Sequence, residues 1–150
     1  MAETMRAVVL DGPGPPEALV IRELPVPEPA VGWVLIRVRA FGLNRSELHM
    51  RLGVAQGVTF PRVPGIEAAG VVAECPGGEF TPGQQVATLM GGMGRAFNGG
   101  YAEYTCVPSA RWCRSAAPWT GRCWVRFRRC CRPLTGRWRW AWTRSPGSPS

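Results

Sequence analysis

The sequence predicts a mostly β fold with one or two short helices for residues 1–110, arranged as a partly closed barrel, and a disordered basic tail for residues 111–150. Three observations carry this. Short β-branched runs recur at close spacing between glycine- and proline-rich turns, one segment alone has helical start and stop signals, and charge divides sharply along the chain. Residues 1–110 hold eight arginines and ten acids, a net of −2, whereas residues 111–150 hold ten arginines and no acid, a net of +10. The overall charge of +8 therefore belongs to the tail.

The elements follow in order. "MRAVVLDG" reads as a strand ended by the turn cluster "GPGPP", then "ALVIREL" as a second strand, and "PVPEPAVG" as an extended connection. "WVLIRVRAFGLN" alternates, with Val34, Ile36, Val38 and Ala40 on one face and Leu35, Arg37, Arg39 and Phe41 on the other. A half-buried strand is expected. Asn44 and Glu47 then have the N-cap and N3 spacing of a capping box, and Gly53 stands where the helix "RSELHMRL" would stop. "AAGVVAEC", "QQVATLM" and "GYAEYTCVP" supply further strands, separated by "PGGEFTPG" and "GGMGRAFNGG". The second loop is glycine-rich, but no G-x-G-x-x-G lies between a strand and a helix, so no dinucleotide-binding (Rossmann) unit is expected in these residues.

Composition bounds the function. No run of eighteen apolar residues occurs and the N-terminus lacks a signal pattern, so a cytoplasmic location is expected. Cys75 and Cys106 are the two cysteines before residue 111, which suits buried or half-buried single thiols in a reducing compartment better than a disulfide framework. No C-x-x-C pair exists, and Cys130-Cys131 alone cannot build a tetrahedral metal site. His49, the single histidine, has no nearby ligand partner and is read as structural. Arg45 and Arg51 could meet a cofactor phosphate, but solvated helix charges are the simpler reading.

"VRAFGLNRSELHMRLG", "FPRVPGIEAAGVV", "FTPGQQVATLM" and "GGYAEYTCVP", in this order and spacing, resemble the N-terminal, GroES-like domain of medium-chain dehydrogenases/reductases. The resemblance covers residues 5–110. Within that superfamily it is similar to the zinc-independent, NADPH-using quinone oxidoreductase branch. The zinc enzymes place a cysteine where this chain has Asn44 and a histidine where it has Ile66, so two of three catalytic zinc ligands are missing and no metal is expected. The four cysteines of the structural zinc lobe are missing too.

The resemblance implies reduction of a quinone or enone by NADPH, with Asn44 and Tyr101 at the cofactor or substrate cleft. It makes Glu67 a buried structural carboxylate organising the loop "PGIE". A helix cap is the plainer role for Asn44, and one side chain can serve both. Glu47 stands where the family usually has aspartate, and Gln84 where "PGD" has aspartate. The family is about twice this length and holds its dinucleotide on a second, Rossmann-type domain, so the 150 residues are expected to be truncated, to bind no NADPH alone and to be inactive alone.

"RCWVRFRRCCRPLTGRWRW", residues 122–140, contains seven arginines, three tryptophans and three cysteines. The family would place an interdomain linker after "YAEYTCVPSA". Loss of one nucleotide at the codon of Arg111 would account for the difference. Tryptophan and cysteine codons begin with TG, so in the restored frame all ten of these residues in the tail become leucine, methionine or valine. Trp119-Thr120 and Trp142-Thr143 become aspartate, and Trp124-Val125 and Trp140-Ala141 become glycine. An out-of-frame, structureless tail is thus expected. Two selected functions compete with it: arginine and tryptophan together hold single-stranded nucleic acid, and they adsorb to anionic membranes. Nonspecific polyanion binding follows from the charge in every case. A non-enzymatic barrel that forms a homo-oligomer through an exposed strand edge is the alternative for residues 1–110.

Overall fold

The computed structural model describes residues 3–114 and 139–141. Strands dominate, as the sequence predicts. β1 (Thr4–Leu10) and β2 (Leu19–Pro25) form an antiparallel hairpin pairing Thr4 with Pro25 through Leu10 with Leu19 without interruption. The proline-rich turn between them ends in a single 3-10 turn, Pro16–Ala18, with proline at its first positions, where no N–H is needed.

β3 (Trp33–Leu43) is the longest strand and the centre of a six-stranded sheet. The others are β4 (Glu67–Glu74), β5 (Gln85–Leu89), β6 (Tyr104–Pro108), β7 (Trp112–Arg114) and β8 (Arg139–Ala141). The order is β6-β3-β4-β5-β7, with β8 paired to the Phe41–Leu43 end of β3, and every pairing is antiparallel. The two sheets do not close by a continuous ladder. Isolated bridges join them instead, Ala7 to Ala102 and Leu10 to Arg62.

Glu103 ties the same seam, since its backbone N–H donates to Arg6 O at 3.0 Å and its carboxylate takes two bonds from the Arg6 guanidinium, at 2.7 and 3.0 Å. For this reason the last full strand begins at Tyr104, later than "GYAEYTCVP" suggests. Residues 101–103 are spent on crossing between sheets.

β3 also departs from simple alternation. Val34, Leu35 and Ile36 are all buried, and register shifts against β4 at Leu35/Ile36 and Val38/Ala40 interrupt the period-two pattern. Farther along, Arg37 and Arg39 are exposed and Ala40 is buried. Val34, Ile36, Ala68, Val72, Phe80, Val86, Met93 and Val107 form one core cluster. Met5, Ala7, Val9, Val63, Tyr101 and Ala102 form a second beneath the hairpin.

α1 (Arg45–Arg51) is the single α-helix among the described residues, and none of their helices is long and apolar enough to cross a membrane. Its C-terminal end is fastened to the β1–β2 turn: Arg51 Nη1 donates to Gly14 O at 2.7 Å, and Gly14 N–H donates to Arg51 O at 2.8 Å. Arg51 is therefore a structural anchor and not a solvated helix charge. In the tail, β7 and β8 are short strands; the expectations for residues 115–138 and 142–150 lie outside the described residues.

Candidate functional site

Where β3 ends and α1 begins, four backbone and side-chain groups converge. Asn44 has extended backbone and caps α1, and its N–H donates to Glu47 Oε2 at 2.8 Å, one half of the capping box. The reciprocal contact, from the Glu47 N–H toward the Asn44 side chain, is loose: buried Asn44 Oδ1 makes no hydrogen bond of good geometry. Its amide faces the other way, with Nδ2 donating to Glu67 Oε1 at 3.1 Å. Glu47 Oε1 accepts the Ile66 N–H at 2.9 Å. Two carboxylates thus hold the helix start, the strand end and the loop "PGIE" in one arrangement.

Both acids are buried, Glu67 at 3% and Glu47 at 7% exposure, and no basic side chain bonds either one. Burial pushes the Glu67 carboxyl up to about 7, with the neighbouring Glu47 charge adding to the rise and the Asn44 bond opposing it. Burial also raises Glu47, while three backbone N–H groups and Asn44 hold it down. Glu47 has the larger set of donors to its ionised form, so Glu67 is the member that takes up a proton near neutrality.

Tyr101 completes the surroundings. It is buried, its ring lies 4.6 Å from that of Phe41 at a tilt of 38°, and burial together with the Glu47 and Glu67 charges pushes its phenol well above the usual range. Gly65 and Gly42 let these groups approach. A Cβ on Gly65, whose φ is +106°, would meet Tyr101 Cδ1 at 2.7 Å, and a Cβ on Gly42 would fall 1.6 Å from Glu67 Oε1.

The site is therefore a shallow polar corner with Asn44 half-buried, and the cavities lie beside it. A groove of about 730 Å³ between the hairpin and β3 is bordered by Phe41 and Tyr101 but not by Asn44 or Glu67. A smaller one of about 330 Å³ is lined by Trp33, Phe97 and Asn98. Leu43, Leu48 and Met90 are exposed apolar side chains on β3, on α1 and just after β5.

Of the residues singled out in the sequence, Asn44, Glu67 and Tyr101 do come together around Glu47. Glu67 is buried and binds Asn44, whereas the Ile66 N–H of the "PGIE" loop is taken by Glu47. That role for Glu47 was not evident from its position as a capping residue. Phe41 was read only as one face of a strand, and Gly42 was not singled out, although an isolated glycine inside a strand is a signal of close approach. His49 and Arg45 are exposed on α1. Cys75 donates to Glu79 Oε2 at 3.3 Å, and Cys106 is half-buried on β6.

The donor set is a poor fit for zinc. Among the described residues no three His, Cys, Asp or Glu side chains group for a metal ion. The carboxylates here are engaged by N–H donors, and Ile66 contributes no ligand.

A family model described as the alcohol dehydrogenase GroES-like domain matches residues 30–117. The human quinone oxidoreductase is 38% identical over 105 residues, which are 67% of this chain and 30% of that protein. A chloroplastic quinone-oxidoreductase of Triphysaria versicolor is 36% identical over 106 residues, covering 67% of this chain and 31% of its own length. The solved structure of a thermostable alcohol dehydrogenase from Pyrobaculum aerophilum superposes with a TM-score of 0.69 at 31% identity, over 77% of this chain and 42% of that one. The chain thus spans about a third of the length of these two curated relatives.

Proposed function

Since the chain belongs to the alcohol dehydrogenase GroES-like domain family, we propose that it is the substrate-side domain of a cytoplasmic, zinc-independent, NADPH-dependent oxidoreductase acting on quinones or enones. The observation that carries this is Asn44. A half-buried carboxamide, its Nδ2 donating to Glu67 Oε1, stands at the end of β3, where an amide donor suits a carbonyl oxygen. The similarity to two quinone oxidoreductases supports the substrate class.

The coenzyme supplies hydride, and the described residues do not themselves form a dinucleotide site: they contain no strand, glycine turn and helix in succession, and α1 is seven residues long. The contribution of this domain is to orient the carbonyl. Asn44 donates to it, and Glu67 fixes the amide so that Oδ1 and Nδ2 do not exchange places. The 150 residues alone are expected to show no turnover.

A soluble para-quinone titrated into isotope-labelled protein, followed by NMR, tests the site. The Asn44 side-chain amide is expected to shift first, and Asn44→Ala to weaken binding. Shifts confined to the 330 Å³ cavity near Trp33 would refute the assignment. NADPH-dependent quinone reduction at enzymatic rates by the 150 residues themselves would overturn the dependence on a second domain.

A further inference from the structure

The outer edge of the hairpin carries a pattern that the proposed activity does not use. β2 pairs with β1 and with no other strand among the described residues, so one edge of it faces outward. We infer that this edge is a self-association site, on which β2 of a second copy of the chain pairs antiparallel about Ile21.

The backbone orientation follows from β1. Val8 N–H donates to Tyr101 O, Leu10 exchanges bonds with Arg62, and Arg6 exchanges bonds with Glu103, so the even residues of β1 turn away from β2. The odd ones, Met5, Ala7 and Val9, therefore bond Leu24, Arg22 and Val20. Leu19, Ile21 and Glu23 are left with both N–H and C=O directed outward, and Pro25 with a C=O alone. Ile21 is also 70% exposed, the most exposed side chain among the large apolar residues of the hairpin, and Val20 is 40% exposed.

A two-fold pair must set outward residues against outward residues, so its centre falls on a residue of β2, and centring on Leu24 keeps only Glu23 and the donor-less Pro25 in the ladder. Centring on Arg22 opposes two arginines and sets Leu19 against the donor-less Pro25. Centring on Glu23 opposes two carboxylates. Centring on Val20 keeps only Leu19 to Ile21 in the ladder. Centring on Ile21 pairs five residues, Leu19 to Glu23, with no like charges opposed, places Ile21 on Ile21 and sets Val20 against the stem of Arg22. The charge pattern of β2 thus selects one self-complementary register, and a second copy of the same strand is the occupant it fits.

Sedimentation velocity of the full chain over a range of concentrations, in reductant and at high salt to silence the basic tail, is the test. A monomer–dimer equilibrium is expected. Ile21→Pro removes an outward donor without touching the β1 ladder, and Ile21→Lys opposes two charges; each is expected to weaken the dimer at least about tenfold. If Ile21→Pro loses its far-ultraviolet circular dichroism, Ile21→Lys is the deciding variant. After mild oxidation, Ile21→Cys is expected to give a disulfide joining position 21 to its own counterpart, since directly opposed residues lie within disulfide reach. A monomer at every concentration, a dimer unchanged in both variants, or cross-links from position 21 to native cysteines alone would overturn the inference.

Discussion

Asn44 Nδ2 and Glu67 Oε1 are 3.1 Å apart although 23 positions separate the two residues, and Glu67 is buried with no basic partner. The amide is thus the donor that compensates this carboxylate. Asn44→Ala would strip that compensation while keeping the backbone bond from the residue 44 N–H to Glu47. Leaving a buried acceptor unpaired costs about 1–3 kcal/mol, so a fall in Tm of several degrees is expected. Asn44→Asp should be worse above neutral pH, where a third carboxylate joins two, and should recover in acid. Thermal unfolding of both variants at pH 5 and pH 8 measures the difference.

Glu67 makes stability depend on pH in a definite direction. Its folded carboxyl titrates at about 7, above its ordinary value in an unfolded chain. Between those two values the folded state binds more protons than the unfolded one, so stability is full in acid, falls as pH rises toward 7 and is level beyond it. Glu67→Gln keeps the shape and removes the titration. Denaturant midpoints from pH 4.5 to 8 should decline less steeply in the variant, and an unchanged slope would exclude Glu67 as the source.

Much of this was legible locally. Asn44 and Glu47 have capping-box spacing, and α1 begins where that spacing places it. What local pattern could not reveal was the bond from Ile66 N–H to Glu47, because its partners are 19 positions apart and meet only through the β3–β4 pairing. Alternation likewise misjudged Leu35, which is buried where a register shift against β4 breaks the ladder. Periodicity assumes an unbroken ladder, and a bulge changes which face a residue turns to.

Cys106 should be a slow thiol. Burial pushes it up to about 11, with the Glu74 charge contributing, so little thiolate exists at pH 8. Brief alkylation followed by peptide mapping is expected to leave Cys106 largely unmodified in the folded chain and to modify it fully in denaturant. Rapid labelling in the folded state would show that the thiol is not held in the apolar surroundings that raise it.

Gly42 and Glu67 form the tightest approach in the site, and their coupling is measurable. A side chain at Gly42 collides with the Glu67 carboxylate, so Gly42→Ala must push that group off Asn44 or bend β3. Overpacking of this kind costs about 1–3 kcal/mol. If the collision is the cause, the cost should largely disappear in a background of Glu67→Ala, where the space is empty. A double-mutant cycle by denaturant unfolding distinguishes this from a requirement for glycine's backbone freedom. Gly42, unlike Gly65, has no positive φ, and a penalty that persists in full without the Glu67 side chain would point to the sheet and not the carboxylate.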